Sequence, residues 1–374
     1  MNQYFATVAR GWESLAAIEI ENLGGKSVSN GFCGVNFCGD RQLLYKTNLH
    51  ARLPFRILLK IDEFPCQDAD DLYRGIKKID WQLYLSPDYS LAVNATGKNK
   101  ALNHTHFTAL QVKNAIVDRQ REELGDRSPI DPKNPDVLVN VHIDRDRCLV
   151  SLDSSGSSLH RRGYRRAVGS APLKESLAAG LISLSDWQPD LPFFDPLCGS
   201  GTLPIEAGLQ ALNIAPGLFR TNFGFETWPD FDRTLWNNLV KQARSDRKDS
   251  LMAGISGSDR DRDVIKQARD NAFICGLEKQ IQFQQKDLAR IEAPADRGVL
   301  FCNPPYGARL GSDRDLGEFY RLLGKVLKER FKGWTAFVLS GNKQLASSIG
   351  LKSSQRIPFY NGSIPCKLMK YELY

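Results

Sequence analysis

The alternation of apolar and polar positions divides the chain into two stretches of different grain. The first 55 or so residues combine short strands with an amphipathic helix over 14–23, closed by the Gly24-Gly25 pair. Beyond them the periodicity predicts strands over 55–61, 90–95, 137–143 and 147–152, the last two as partners, and helices over 69–76 and 108–124. The polar run Ser154-Ser155-Gly156-Ser157-Ser158 reads as a junction. After it, strand and helix alternate. Helices are predicted over 174–184, 203–212, 262–275 (stopped at Gly276) and 316–330, and strands over 191–194, 253–256, 281–284, 299–302 and 335–339. Segments 354–358 and 366–373 read as a β-hairpin that finishes the sheet. This second stretch is the pattern of an α/β fold with a mostly parallel, doubly wound sheet.

Composition changes this picture little. The 374 residues are 42% hydrophobic and 25% charged, ordinary for a globular chain long enough for two or three cores. No apolar stretch approaches the ~20 residues of a membrane span, and Met1–Arg10 hold no signal-peptide pattern. The eight cysteines are scattered, Cys33 and Cys38 being the nearest neighbours, with no Cys-x-x-Cys. Neither a disulfide framework nor a zinc site is expected; reduced thiols in a cytoplasm are. Charge is more informative. Residues 1–155 carry 19 Lys and Arg against 20 Asp and Glu, a net of −1, whereas the remainder carries 31 against 23, a net of +8, so the positive excess lies in the α/β stretch. A polyanionic partner fits there, and so does a mildly basic enzyme surface.

Two motifs within that stretch carry chemistry. Asn303-Pro304-Pro305-Tyr306 follows the apolar run Gly298–Cys302 and therefore sits at the carboxyl end of a buried strand, where open α/β sheets place their ligands. Two prolines fix φ and restrict the residue before each. The stiff loop offers an amide, two carbonyl oxygens and an aromatic ring, a set suited to a flat heterocycle with an exocyclic amino group. Upstream, Asp195-Pro196-Leu197-Cys198-Gly199-Ser200-Gly201-Thr202 joins the strand over 191–194 to the helix over 203–212. Its glycines let backbone approach a ligand, and the helix start offers unpaired amides. The loop has no Lys, which argues against a nucleoside triphosphate, and lacks the third glycine of a dinucleotide fingerprint. An acidic strand end with Gly-x-Gly suits a nucleoside carrying a cationic amino-acid tail. Asp259, with Asp261 in reserve, and Asp287 follow the next two strands; a carboxylate there can accept ribose hydroxyls or an adenine amino hydrogen, or simply cap a turn.

Asp195–Thr202, Asp259, Asp287 and Asn303–Tyr306, in this order, resemble a class I S-adenosylmethionine-dependent methyltransferase that modifies exocyclic amino groups of bases. Leu159–Arg165 with Ala171–Glu175 is similar to the opening of RNA guanine-N2 methyltransferases that carry an N-terminal THUMP domain. Gly201–Ala207 continuing to Ile214–Leu218 resembles the bacterial branch acting on large-subunit ribosomal RNA. The resemblance covers essentially the whole chain. It implies a ferredoxin-like piece over 1–55, a THUMP RNA-binding domain over 56–155, and over 156–374 a Rossmann-like methyltransferase domain with a seven-stranded sheet. It implies S-adenosyl-L-methionine as cofactor, held by Pro172, Asp195, Pro196, Cys198, Gly199, Ser200, Gly201, Thr202, Asp259, Arg260, Asp287, Leu288 and Asn303. Asn303, Pro304, Pro305 and Tyr306 would be the catalytic set, and no metal is implied. A long form of that branch carries a second, fused methyltransferase, whereas this chain ends at Tyr374 with one. Transfer RNA is therefore an alternative target, and a non-catalytic RNA-binding assembly factor is a second alternative.

RNA contacts are expected from the arginine cluster Arg161, Arg162, Arg165 and Arg166, which would grip phosphates without reading sequence. Lys98 and Lys100 lie in a local basic stretch with His104, His106 and Lys113. The two histidines lack a third ligand for a metal. Residues 214–250 hold Phe219, Phe223, Phe225, Trp228, Phe231 and Trp236, which read as a small local core in preference to a platform for an extruded base.

Overall fold

The computed structural model describes residues 1–165, 173–185, 187–305, 313–362 and 364–374. They form two compact units: Met1–Val8, Ala16–Leu159 and Arg220–Lys241 in the first, and Ala9–Leu15, His160–Phe219 and Gln242–Tyr374 in the second.

The first unit is built on one seven-stranded sheet. Its strands are β1 (Asn2–Thr7), β2 (Lys26–Gly31), β3 (Gly34–Gly39), β4 (Arg56–Pro65), β5 (Leu91–Lys98), β6 (Val137–Asp144) and β7 (Arg147–Asp153), in the order β2-β3-β1-β4-β7-β6-β5. Strand β6 shows the governing pattern: Val137, Val139, Val141 and Ile143 are buried and alternate with more exposed residues, as a sheet covered on one face requires. β1 pairs with β4 through Tyr4↔Leu59 to Thr7↔Arg56, so the 1–55 region and the strands after it share one ladder. Helix α1 (Glu13–Asn22) straddles the division between units, and α2 (Arg41–His50), α3 (Ala69–Lys78) and α4 (Thr105–Leu124) pack on strands of the first.

Two segments of this unit behave differently from what their composition suggests. The serine run is not a loose linker at its start. Ser154 and Ser155 are fully buried; Ser154 Oγ donates to the Ile57 carbonyl (2.7 Å), and Ser155 Oγ to Asn48 Oδ1 (2.7 Å). The aromatic stretch Arg220–Lys241 returns to the first unit. Tyr45 of α2 stacks on Phe225 with ring centroids 4.4 Å apart, and Trp236 meets Phe225 edge-on at 5.1 Å. Arg220 lies over the Phe223 ring and donates to the Ser155 and Ser157 carbonyls. These rings form a core, with one wall supplied by α2.

The second unit carries α5 (Glu175–Ser183), β8 (Phe193–Asp195), α6 (Thr202–Ala211), β9 (Ile255–Asp259), α8 (Arg262–Ile274), β10 (Ile281–Gln285), β11 (Gly298–Cys302), α9 (Asp313–Arg330), β12 (Trp334–Ser340), α10 (Lys343–Ser348), β13 (Gln355–Asn361) and β14 (Ile364–Glu372); α7 (Arg233–Ser245) runs across the division. The strand order is β10-β9-β8-β11-β12-β14-β13, parallel from β10 to β12 and antiparallel at β14 and β13. Every residue of β11 is buried, as expected for a parallel strand covered on both faces. Phe301 stacks between Phe193 (5.5 Å) and Phe337 (4.9 Å), while Leu316, Tyr320 and Leu323 of α9 join Leu300, Ala336 and Val338 in one core. Strand β9 (Ile255–Asp259) begins two residues and ends three residues later than the expected 253–256. The ladder continues because Gly257 is small: a Cβ there would lie 2.9 Å from Cys198 Cβ. Asp259 thus ends the strand instead of following it.

Candidate active site at the carboxyl ends of four parallel strands

The sheet reverses its winding between β8 and β11, and such a switch point opens a crevice at the carboxyl strand ends. Pairing fixes what lines it. Asp195 of β8 sits opposite Gly257 of β9, Leu300 of β11 opposite Phe194, and Asp259 opposite Gln285 of β10. Adjacent strands lie about 4.8 Å apart, so Asp287, Asp259, Asp195 and Asn303 follow one another along one edge.

Local chemistry explains the loop after β8. Pro196 has no amide to continue the ladder, and the chain turns with Asp195 Oδ1 accepting the Leu197 amide at 3.0 Å. Gly199 and Gly201 adopt φ of +51° and +84°, the left-handed region that glycine enters without strain. A Cβ on Gly201 would lie 2.9 Å from the Phe283 ring, whereas one on Gly199 would meet nothing within 4 Å. The Gly199 backbone is thus open to a ligand. Asp259 Oδ2 accepts the Gly199 amide (3.1 Å), Asn271 Nδ2 donates to the Ser200 carbonyl (3.0 Å), and the Cys198 amide reaches the Ser258 carbonyl. Helix α6 starts at Thr202 with no side-chain cap; the Thr202 and Leu203 amides have no carbonyl of their own helix to bond.

Electrostatics set the tone of the crevice. Asp195 is buried, and burial first, then the neighbouring Asp259 carboxylate, pushes its carboxyl well above the ordinary 3.8, against the opposing pull of the Leu197 amide. Two acidic groups so placed favour a cationic ligand. Asp261 caps α8 through the Asp263 and Val264 amides, and its own amide donates to Asp259 Oδ1 at 3.0 Å. Asp287 is exposed and accepts the Ala289 amide (2.8 Å), with Leu288 buried behind it and Arg260 exposed. At the end of β11, Asn303 is half-buried, and its Oδ1 is buried without a hydrogen-bond partner among the described residues. Pro304 is buried and Pro305 half-buried beside it. Tyr306, Pro172 and Arg166 lie outside the described residues.

Two members of the arginine cluster require a correction. Arg162 is 1% exposed and pairs with the fully buried Glu206 at 3.5 Å, while Tyr164 donates to the same carboxylate at 3.2 Å. Arg165 donates to Thr202 Oγ1 (2.8 Å) and the Leu173 carbonyl (3.2 Å), and lies 3.5 Å from Glu175. Both face the protein interior, where the carboxylates of α5 and α6 need them, so neither is placed to grip RNA phosphate; Arg161 is exposed. Lys98 and Lys100 are exposed, with Asn99 between them turned inward to donate to the Cys66 and Gln67 carbonyls. His104 accepts the Phe107 amide as the cap of α4. Among the described residues no group of His, Cys, Asp and Glu is placed to hold a metal ion. Sequence patterning missed Asn271 and Glu206, whose only signal is a polar side chain on the apolar face of a helix.

A doubly wound sheet with acidic strand ends and a glycine loop at its switch point defines a nucleoside-binding α/β enzyme. Comparison with known proteins specifies which. Residues 162–370 match the RMKL-like methyltransferase domain, residues 66–153 the THUMP domain, and residues 3–58 the RlmL ferredoxin-like domain. The chain belongs to the RMKL-like methyltransferase family. A Synechocystis protein described as an RNA methyltransferase is 56% identical over 99% of this chain and 97% of its own length. The ribosomal RNA large subunit methyltransferase K/L of Syntrophotalea carbinolica is 40% identical over 99% of this chain, which spans about half (53%) of that protein. A crystal structure described as a methyltransferase complexed with S-adenosylhomocysteine superposes with TM-score 0.89 at 32% identity, covering 100% of this chain and 98% of the other. A Listeria monocytogenes structure described as an N6-adenine-specific DNA methylase also has TM-score 0.89 and 32% identity, covering 100% and 96%.

Proposed function

We propose that this chain transfers a methyl group from S-adenosyl-L-methionine to the exocyclic N2 of a guanine in RNA, in large-subunit ribosomal RNA. The observation that carries the reading is the Asn303 Oδ1 acceptor, buried without a partner among the described residues at the switch-point edge. An unsatisfied buried acceptor at a crevice fits a substrate that brings its own donor. The cofactor, when bound, supplies a methyl on a cationic sulfur that is already activated. The chain's residues fit such a group: the open backbone at Gly199, the carboxylate of Asp259 at the strand end, and the two acidic side chains that favour positive charge. In this reading Asp259 accepts ribose hydroxyls, Asp195 and the Pro196–Thr202 loop hold the amino-acid end, and Arg260, Asp287 and Leu288 border the adenine, with Pro172 completing the set.

The remaining work is done on the acceptor nitrogen. An exocyclic amino lone pair is delocalised into the ring. Asn303 Oδ1 and the Pro304 carbonyl accept its two hydrogens and draw it toward tetrahedral geometry, while the paired prolines keep both acceptors stationary. Tyr306, by its place in the motif, stacks on the base. Rate then comes from orientation and from fixed dipoles that favour the developing positive nitrogen. Asn303 is no base, so the methylated ammonium loses its proton to water or a nearby group. A paired guanine must leave its stack to reach this loop.

The THUMP match and the ribosomal RNA relatives support RNA as partner, and Lys98, Lys100 and Arg161 are each exposed cations available to phosphate. The name of the Listeria relative motivates a second reading, an adenine amino group as acceptor; the THUMP domain favours RNA over DNA for either base. Nucleoside mass spectrometry on ribosomal and transfer RNA from a deletion strain tests both. Loss of N2-methylguanosine from ribosomal RNA is expected. Loss of N6-methyladenosine instead, or of a transfer RNA signal alone, would overturn the base or the target. Failure to bind the cofactor by calorimetry would leave a non-catalytic RNA-binding factor.

A further inference from the structure

Buried Arg162 and half-buried Arg165, both engaged within the protein, are left without an assigned task. Thr202 and Glu206 are four residues apart on α6 and therefore share a face. Arg162 and Tyr164 meet Glu206, and Arg165 meets Thr202. The segment 162–165 thus runs along α6 toward its amino end, which is also the end of the Asp195–Thr202 loop. There the Arg165 guanidinium joins three things: the Thr202 hydroxyl, the Leu173 carbonyl just before α5, and the buried Glu175 carboxylate in the first turn of α5.

We propose that Arg165 is a positioning residue for the cofactor loop, fastening the start of α6 to the start of α5 so that the loop between β8 and α6 is held in its binding shape. The inference rests on the reading of Asp195–Thr202 as the cofactor site. Among the described residues, the other ties that reach this loop from outside come from β9 and α8: Asp259 to Gly199, Ser258 to Pro196 and Cys198, and Asn271 to Ser200. Arg165 is the tie from the α5 side among the described residues, and it anchors the last loop residue. A planar fork with several donors can reach a hydroxyl, a carbonyl and a carboxylate together; a lysine ammonium is a point charge on a flexible stem and does not reproduce that geometry.

The test is calorimetry of S-adenosylhomocysteine binding to the full chain and to Arg165→Lys, Arg165→Met and Thr202→Val, with RNA affinity measured on the same proteins over a range of salt. Arg165→Met is expected to weaken S-adenosylhomocysteine binding about 10-fold or more, on the scale of one charge-assisted hydrogen bond. Arg165→Lys should recover only part of this, and Thr202→Val, which removes the hydroxyl partner at constant shape, should weaken binding by less. RNA affinity and its salt slope should stay as in the parent. Unchanged S-adenosylhomocysteine affinity in folded Arg165→Met or Thr202→Val would overturn the proposal, as would a fall in RNA affinity and salt slope with cofactor binding intact. Should Arg165→Met not fold, Arg165→Lys decides, with weaker S-adenosylhomocysteine binding expected and parent-like affinity overturning the proposal. If the parent chain itself binds no S-adenosylhomocysteine, the assignment of the loop as a cofactor site is what fails.

Discussion

Two loops leave neighbouring strands at the same edge of the sheet and treat their polar groups in opposite ways. The loop after β8 is tied down along its length, with Asp259 on the Gly199 amide, Asn271 on the Ser200 carbonyl and Arg165 on the Thr202 hydroxyl. The loop after β11 keeps the Asn303 oxygen buried and without a donor among the described residues. A buried acceptor without a donor costs about 1–3 kcal/mol, a cost that an amino group brought by the proposed substrate would relieve. The difference teaches a division of labour. In the proposed reading, a site for one invariant ligand is prepared by bonds within the protein, while a site for a reacting nitrogen holds an acceptor in reserve.

The sharpest way to break this comparison is Asn303→Ala. Methyl transfer at saturating substrates is expected to fall on the order of 10²–10³-fold, as for loss of a transition-state hydrogen-bond partner, with cofactor affinity nearly unchanged. Single-turnover kinetics and calorimetry give the two readouts, and a matched fall in both would erase the distinction between the loops. Asp195→Asn comes next. The wild-type carboxyl is raised by burial, so the folded state keeps a proton that the unfolded state releases above 3.8. Stability without cofactor is therefore highest below that value and declines as pH rises through the window up to the raised folded value. The asparagine variant keeps an acceptor for the Leu197 amide and has nothing to titrate. Its melting temperature at neutral pH should exceed that of the parent and vary less with pH, while its cofactor affinity falls about 10-fold. A lower neutral melting temperature would show that the buried carboxyl is no liability. The smallest effect tests whether RNA holding is separate from both loops. Replacing Lys98 and Lys100 together by alanine should weaken RNA binding a few-fold and lower the salt slope by about one to two. The rate at saturating RNA should not move; a changed rate would tie these lysines to the chemistry.

Periodicity and turn chemistry located the strands of the second unit to within a few residues, because a parallel strand is a short apolar run ended by Gly, Pro or Asp. That is enough to tell which side chain stands at which strand end, and the row Asp287, Asp259, Asp195, Asn303 follows from it. Three things were not legible. The fate of Arg162 and Arg165 depends on Glu206 and Glu175, brought in by tertiary folding, and charge density along the chain carries no information about burial. Helix α2 escaped notice because its buried face includes Thr47 and Asn48, which patterning scores as polar. The aromatic stretch after Phe219 read correctly as a core, but its wall, Tyr45, lies far upstream.

That last arrangement bears on how the protein is made. The chain leaves the ribosome from its amino end, so Tyr45 and the sheet behind it emerge long before Phe225 and Trp236, which cover it. The first unit is therefore incomplete when Leu159 appears and closes only after Lys241, with His160–Phe219 of the second unit synthesised in between. A fragment ending at Leu159 is expected to bind a hydrophobic dye and to melt less cooperatively than the full chain; a fragment as cooperative as the full chain would show the aromatic cover to be dispensable. Synthesis order and spatial order disagree here, and the nascent chain must keep an apolar surface waiting for its own later residues.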